Sequence, residues 1–109
     1  DYKHDNHTTE DSITQKVAYL KEDIVFNDVD EILNNIPDSV YRVKGIVKVK
    51  DVANPLVINY SFGNVSFDEL DAYEEPSIMI FIGESIDNDV IELCSKFEYL
   101  NMPQFRVGN

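Results

Sequence analysis

Hydrophobic and polar residues alternate along this chain with two different periods, and the switches between periods mark its elements. From Ile13 to Leu20, the set Ile13, Gln15, Val17 and Tyr19 alternates with Thr14, Lys16, Ala18 and Leu20, which predicts a strand. The period then lengthens. Val29, Ile32, Leu33 and Ile36 recur at i, i+3, i+4 and i+7, a single apolar stripe on a helix. Asp28, with Glu31 three residues on, has the form of a capping box, and Asn27 is the alternative cap. The acids of that first turn suit the positive end of the helix dipole. Pro37 stops the helix at or just before its own position.

Strand patterning returns at Val40 and holds to Lys50. Tyr41, Val43, Val47 and Val49 share one face with Gly45 between them, and Arg42, Lys44, Ile46, Lys48 and Lys50 share the other. Asp51 to Pro55 supplies a turn. Leu56, Ile58, Tyr60 and Phe62 then alternate with Val57, Asn59 and Ser61, a second strand hairpinned to the first. Gly63-Asn64 is the expected tight turn, since both residue types tolerate positive φ. A shorter strand is expected from Val65 to Leu70, running into an acidic loop from Asp68 to Glu75. Ile78 to Ile82 is a continuous apolar run ending at Gly83, which suits a central strand. Val90, Leu93, Cys94 and Phe97 place one more apolar stripe on a helix starting near Asp87 or Asn88.

The order is therefore β-α-β-β-β-β-α. Two helices with one stripe each cover one face of a sheet, so we expect an α+β two-layer sandwich. Its sheet would be mixed and four- to five-stranded, with both helices on one face. Residues 1–12 contain no aliphatic side chain and read as a flexible linker carrying His and acids, leaving 13–109 as the domain. The opening at Asp1 rather than Met leads us to expect a longer parent.

Charge changes what the pattern can be asked to do. The 109 residues hold 21 acids against 9 Lys and Arg, a formal charge of -12. A field of that sign repels phosphate backbones and anionic lipid, so neither nucleic acid nor membrane is an expected partner. Four of the 9 cations nevertheless fall within one segment, as Arg42, Lys44, Lys48 and Lys50. On one strand face they repel each other unless anions lie opposite. Cross-strand carboxylates are one way to satisfy them, and an acidic partner docking on the stripe is the other.

Candidate chemistry is sparse. None of the four glycines sits in a Gly-x-x-x-x-Gly-Lys or Gly-x-Gly-x-x-Gly context, so neither a nucleotide site nor a cofactor is expected. The single cysteine, Cys94, rules out an internal disulfide and lies on an apolar stripe, where it acts as a small hydrophobe. Both histidines, His4 and His7, lie in the N-terminal linker beside Asp1, Asp5 and Glu10. That cluster suits only weak zinc or cobalt binding, because a mobile tail loses conformational entropy on closing round an ion. Asp68, Glu69, Asp71, Glu74 and Glu75 lack hard-ion spacing and read as a solvated loop. No catalytic, cofactor-binding or metal residue is assigned, and no enzyme activity is expected. With no apolar window long enough to span a bilayer and no signal peptide, cytoplasmic is the default location.

Two short motifs stand in the predicted strands: Arg42-x-Lys44-Gly45 followed by an apolar residue, then Phe81-Ile82-Gly83 with Asp87 before a helix. In that order, behind a helix ending at Pro37, they resemble the C-terminal domain of the CobW family of P-loop GTPases, which are linked to metal trafficking. The resemblance runs from about Ile13 to Phe97. A Trp-x-Gln signature frequent in the family has Ile58 to Gly63 in its region instead. The resemblance implies an accessory domain of a GTP-dependent metal chaperone, with zinc homeostasis or cobalamin biosynthesis as the setting. It implies contacts with the parent's own GTPase domain and with a protein client, which the basic stripe would make an acidic one. No catalytic residue carries over, because the family's P-loop and Cys-x-Cys-Cys motif belong to its N-terminal domain. The runner-up is a stand-alone α+β module binding a ligand or protein.

Overall fold

The structure is a computed structural model describing residues 13–98 of the 109. The N-terminal linker, with the His4 and His7 cluster, and the tail from Tyr99 lie outside the described residues. Strands β1 (Ile13–Tyr19), β2 (Val40–Val47), β3 (Leu56–Ser61), β4 (Asn64–Glu69) and β5 (Ile78–Glu84) join helices α1 (Phe26–Asn34) and α2 (Asp87–Cys94) in the predicted order.

The five strands stand in the order β1-β5-β2-β3-β4. Every neighbouring pair is antiparallel, so the sheet is not the mixed one expected from the sequence. A strand–helix–strand unit such as β1-α1-β2 ordinarily makes a parallel pair. Here β1 and β2 do run the same way, but β5 is inserted between them and pairs antiparallel with each. It is a split β-α-β unit, and the chain pattern carries no sign of the insertion.

Both helices lie side by side on one face. Lys96, just past α2, reaches Glu31 of α1 at 3.1 Å, and a cleft of about 380 Å³ between the helices is lined from both. Beneath them Val29, Ile32 and Leu33 of α1 and Val90 and Cys94 of α2 close on Ala18, Val43, Val47, Leu56, Ile58, Met79 and Phe81 in one core. Helix α1 begins earlier than its apolar stripe. Its cap is Val25, and Asp28 sits in the first turn with its carboxylate accepting the Val25 N–H at 2.9 Å. Asp51 accepts the Phe26 N–H at 2.9 Å from across the chain, so neither Asn27 nor Asp28 is the cap residue.

One turn and one strand bulge also correct the sequence reading. The β3–β4 hairpin turns on Phe62 (φ 47) and Gly63 (φ 90), and Asn64 already opens β4. Two consecutive positive φ values suit a two-residue hairpin, whose twist then matches that of the strands. In β2 the register against β5 shifts between Val40 and Arg42, a bulge at Tyr41. The extra residue takes Tyr41 out of the buried row, and its hydroxyl donates to Glu84 Oε1 at 2.6 Å.

Candidate interaction surface

Strand alternation puts every second residue of the sheet on the face away from the helices, and register lines these residues up in rows. Gln15, Ile82, Arg42, Ser61 and Asn64 form one row; Val17, Ile80, Lys44, Asn59 and Ser66 form the next. Tyr19, Ile78, Ile46, Val57 and Asp68 form a third. No described helix covers this face. Its aliphatic residues Val17, Ile46, Val57, Ile78, Ile80 and Ile82 are half-buried, while Arg42 and Lys44 are exposed. The apolar run in β5 thus serves two surfaces, with Met79 and Phe81 in the core and the three isoleucines on the open side.

The basic stripe divides. Arg42 stands between Ser61 and Ile82, and Lys44 between Asn59 and Ile80, so neither faces a carboxylate directly. Lys48 and Lys50 lie past the end of β2 at Val47. The Lys48 backbone N–H donates to Ser77 Oγ at 2.8 Å, and its ammonium sits 5.7 Å from the Tyr73 ring centre. Lys50 is exposed in the following turn, its N–H bonded to the Ile24 carbonyl at 3.0 Å. Among the described residues the salt bridge is Lys96–Glu31, and none involves the four cations of the stripe. Cross-strand neutralisation, one of the two expected ways of satisfying them, is not what the sheet provides. The described carboxylates nearest in register are Glu84, engaged by Tyr41, and Asp68 at the far edge of the third row.

The rim nearest the bulge is aromatic. Tyr41 stacks on Phe62 with centroids 5.7 Å apart and planes at 20°. Its phenol is pushed up from the ordinary range, chiefly by donating to Glu84. Tyr73, whose hydroxyl bonds the Pro76 carbonyl at 2.9 Å, is also raised, chiefly by desolvation. Cys94 is fully buried, and desolvation pushes its thiol up to about 12, a group built for packing. The loop acids Asp71, Glu74 and Glu75 are exposed, and no group of His, Cys, Asp or Glu among the described residues is placed to hold a metal ion. No described helix is long and apolar enough to cross a membrane.

The two motifs meet in the structure. Val43 stands opposite Phe81, Gly45 opposite Met79, and Arg42 opposite Ile82, so Arg42-x-Lys44-Gly45 and Phe81-Ile82-Gly83 are two sides of the β2–β5 seam. The family of the Cobalamin synthesis protein cobW C-terminal domain matches residues 17–94. The chain belongs to that family. This CobW C-terminal domain also shares its fold with the crystal structure of the Zn(II)-bound YjiA GTPase from E. coli, at a TM-score of 0.66 and 20% identity. A Zn(II)-bound triple mutant of YjiA matches equally, at 0.66 and 20%. Each match covers 81% of this chain and 30% of the solved one. No curated protein matches the chain.

Sequence reasoning found Arg42 and Lys44 but missed what surrounds them. Phe62, 72% exposed, looked like an inward strand position because its alternation with Tyr60 is unbroken. Ser77, only 2% exposed and bonded to the Lys48 N–H, carries no pattern signal at all.

Proposed function

We propose that this domain is the non-catalytic accessory part of a CobW-type GTPase that handles zinc or cobalt. Its open sheet face serves as the contact surface for an acidic protein client or for the parent's own GTPase domain. The observation that supports this reading most directly is the pairing of half-buried Ile78, Ile80 and Ile82 with exposed Arg42 and Lys44, which face no carboxylate among the described residues, on the face that no described helix covers. Aliphatic residues on that face gain from a cover. Two cations in a chain of net charge -12 make a local field opposite in sign to the global one, which steers an acidic surface there. Zinc as cargo is supported by the Zn(II)-bound state of the YjiA structures that share the fold. The lack of a phosphate-cradling glycine loop in these 109 residues supports the view that GTP chemistry is not carried by this domain.

The test is Arg42→Glu with Lys44→Glu in the full-length parent, read by crosslinking and by recovery of bound proteins at two salt concentrations. Interdomain or client contacts are expected to weaken, most visibly at low salt, at an unchanged melting temperature. Contacts unchanged at both salts would remove the open face from the function. Calorimetry of this chain with GTP is expected to show no binding heat.

A further inference from the structure

A helix about 10 Å across covers about two strands spaced about 4.8 Å apart, so two helices cover about four. This sheet has five. The strand left over is β4, and all six of its residues are exposed. On the helix side of the sheet it nevertheless presents Val65 and Phe67, 41% and 39% exposed, opposite Tyr60 and Ile58. Phe67 meets Phe26 of α1 with ring centroids 5.5 Å apart, which fixes that side as the helix side. Tyr60, Val65 and Phe67 are therefore left as a partly exposed apolar strip on the helix side of the hairpin, a shallow groove beside α1 that starts at the Phe26–Phe67 contact. Tyr60 also lines a cleft of about 330 Å³, together with Asp38, Val40, Phe62 and Gly63. There Phe62 holds φ 47, a conformation bulky residues avoid, with its ring largely in solvent.

Charge along the groove has one sign. Asp30 lies one turn beyond Phe26 on the same face of α1, bonded by Asn34 at 3.3 Å, and Asp38 lines the cleft. Glu69 continues the Val65–Phe67 side of β4. Neither wall contains a Lys or Arg, and none occurs anywhere from Asp51 to Ser95.

We propose that this groove binds a basic amphipathic helix from a separate partner protein. Apolar anchors at i, i+3 or i+4, and i+7 would lie on Tyr60, Val65 and Phe67, over a strand that neither described helix covers. Lys and Arg flanking that stripe would meet Asp30, Asp38 and Glu69. A second copy of this chain does not fit, because α1 and α2 both lack Lys and Arg and would bring acids against acids. This surface is distinct from the open face, which lies across the sheet and attracts the opposite charge.

The probe is a synthetic Leu/Lys helical peptide, with a Leu/Glu peptide of the same apolar stripe as its counterpart. Each is titrated into the whole chain and followed by amide NMR. The Leu/Lys peptide is expected to shift signals of Phe26–Asn34 and Asn64–Glu69, and the Leu/Glu peptide to leave them in place. Val65→Ser with Phe67→Ser, and separately Asp30→Lys with Asp38→Lys, should each weaken the Leu/Lys peptide about tenfold. The second pair lies on exposed or surface positions, so it keeps the test intact if the first disturbs folding. Asp87→Lys with Glu92→Lys on α2 should leave affinity within about twofold. Shifts spread over the acidic surface, equal weakening by the α2 pair, or pairing along the outer edge of β4 with α1 signals unmoved would each overturn the proposal.

Discussion

Gly83 packs its Cα against the carbonyl of Ser39 so closely that a methyl group there would overlap that oxygen. The same methyl would stand 2.8 Å from Ile86 Cγ2 and 2.8 Å from Val40 Cα. The neighbouring Glu84 N–H bonds the Ser39 carbonyl at 2.9 Å, so the approach is part of the ladder at the β2 bulge. Gly45 plays the same part lower on the seam, where a Cβ would lie 2.8 Å from the Ile78 carbonyl and 3.0 Å from Met79 Cγ. The glycines of both family motifs thus let two central strands pack closely together.

Replacing these glycines by alanine should rank them by what a Cβ meets. Gly83→Ala drives a methyl into backbone and should cost about 3 kcal/mol or more, the upper end of overpacking. Gly45→Ala meets one backbone oxygen and one flexible methionine, for about 1–3 kcal/mol. Gly63→Ala has open space but keeps φ at 90, which costs about 1–2 kcal/mol in strain. Urea unfolding midpoints at matched slopes give the order, and Gly63→Ala as the worst of the three would contradict it.

Much of this fold was legible in the sequence, and the misses have physical causes. Element types and order follow from the two periods, because each helix buries one stripe and each strand alternates. Strand pairing does not: nothing in Ile78–Glu84 says that it enters between β1 and β2, since its own two faces are both apolar from Ile78 to Ile82 and name no neighbour. The bulge at Tyr41 and the turn at Phe62 were hidden because an aromatic residue extends a hydrophobic alternation whether or not the backbone continues as strand. Arg42 and Lys44 were legible as a charged face. That no carboxylate stands opposite them required the register.

Alkaline instability should expose Cys94. Its thiol lies above its unfolded value, raised from 9.0 to about 12 by desolvation, so the folded state holds that proton more tightly. This contribution is fully present below pH about 9 and is lost as pH rises toward about 12, at about 1.4 kcal/mol per pH unit at most. Tyr41 and Tyr73 shift the same way, so the cysteine share is isolated by repeating the pH series on Cys94→Ala. That variant should be less stable at neutral pH and fall less steeply above pH about 9. Parallel curves for the two proteins would show that the thiol contributes nothing.

The hairpin tip is a place where stability should rise. Asn-Gly is the preferred pair for a turn with two positive φ values, and Phe62 occupies the Asn position. Phe62→Asn relieves left-handed strain of about 1–2 kcal/mol and gives up the Tyr41 stack, worth about 0.5–1.5 kcal/mol. The melting temperature should be equal or higher. A clear drop would mean that the Tyr41–Phe62 stack anchors the hairpin and that the exposed ring is there for the fold itself.

Met79 and Ile80 are adjacent on one strand and should separate the two faces of the sheet. Met79 is fully buried beneath the helices, and its truncation to alanine should cost about 2–5 kcal/mol through lost transfer energy and an unfilled cavity. Ile80 lies half-buried on the open face beside Val17 and Lys44, where solvent can fill the space left by its methyls. Ile80→Ala should cost less than about 1.5 kcal/mol in the isolated chain. In the full-length parent the same substitution should cost contact affinity, since a cover over the open face would bury what solvent now touches. Equal losses for the two variants in urea unfolding would mean that the open face is already core, and the argument that its isoleucines await a partner would fail.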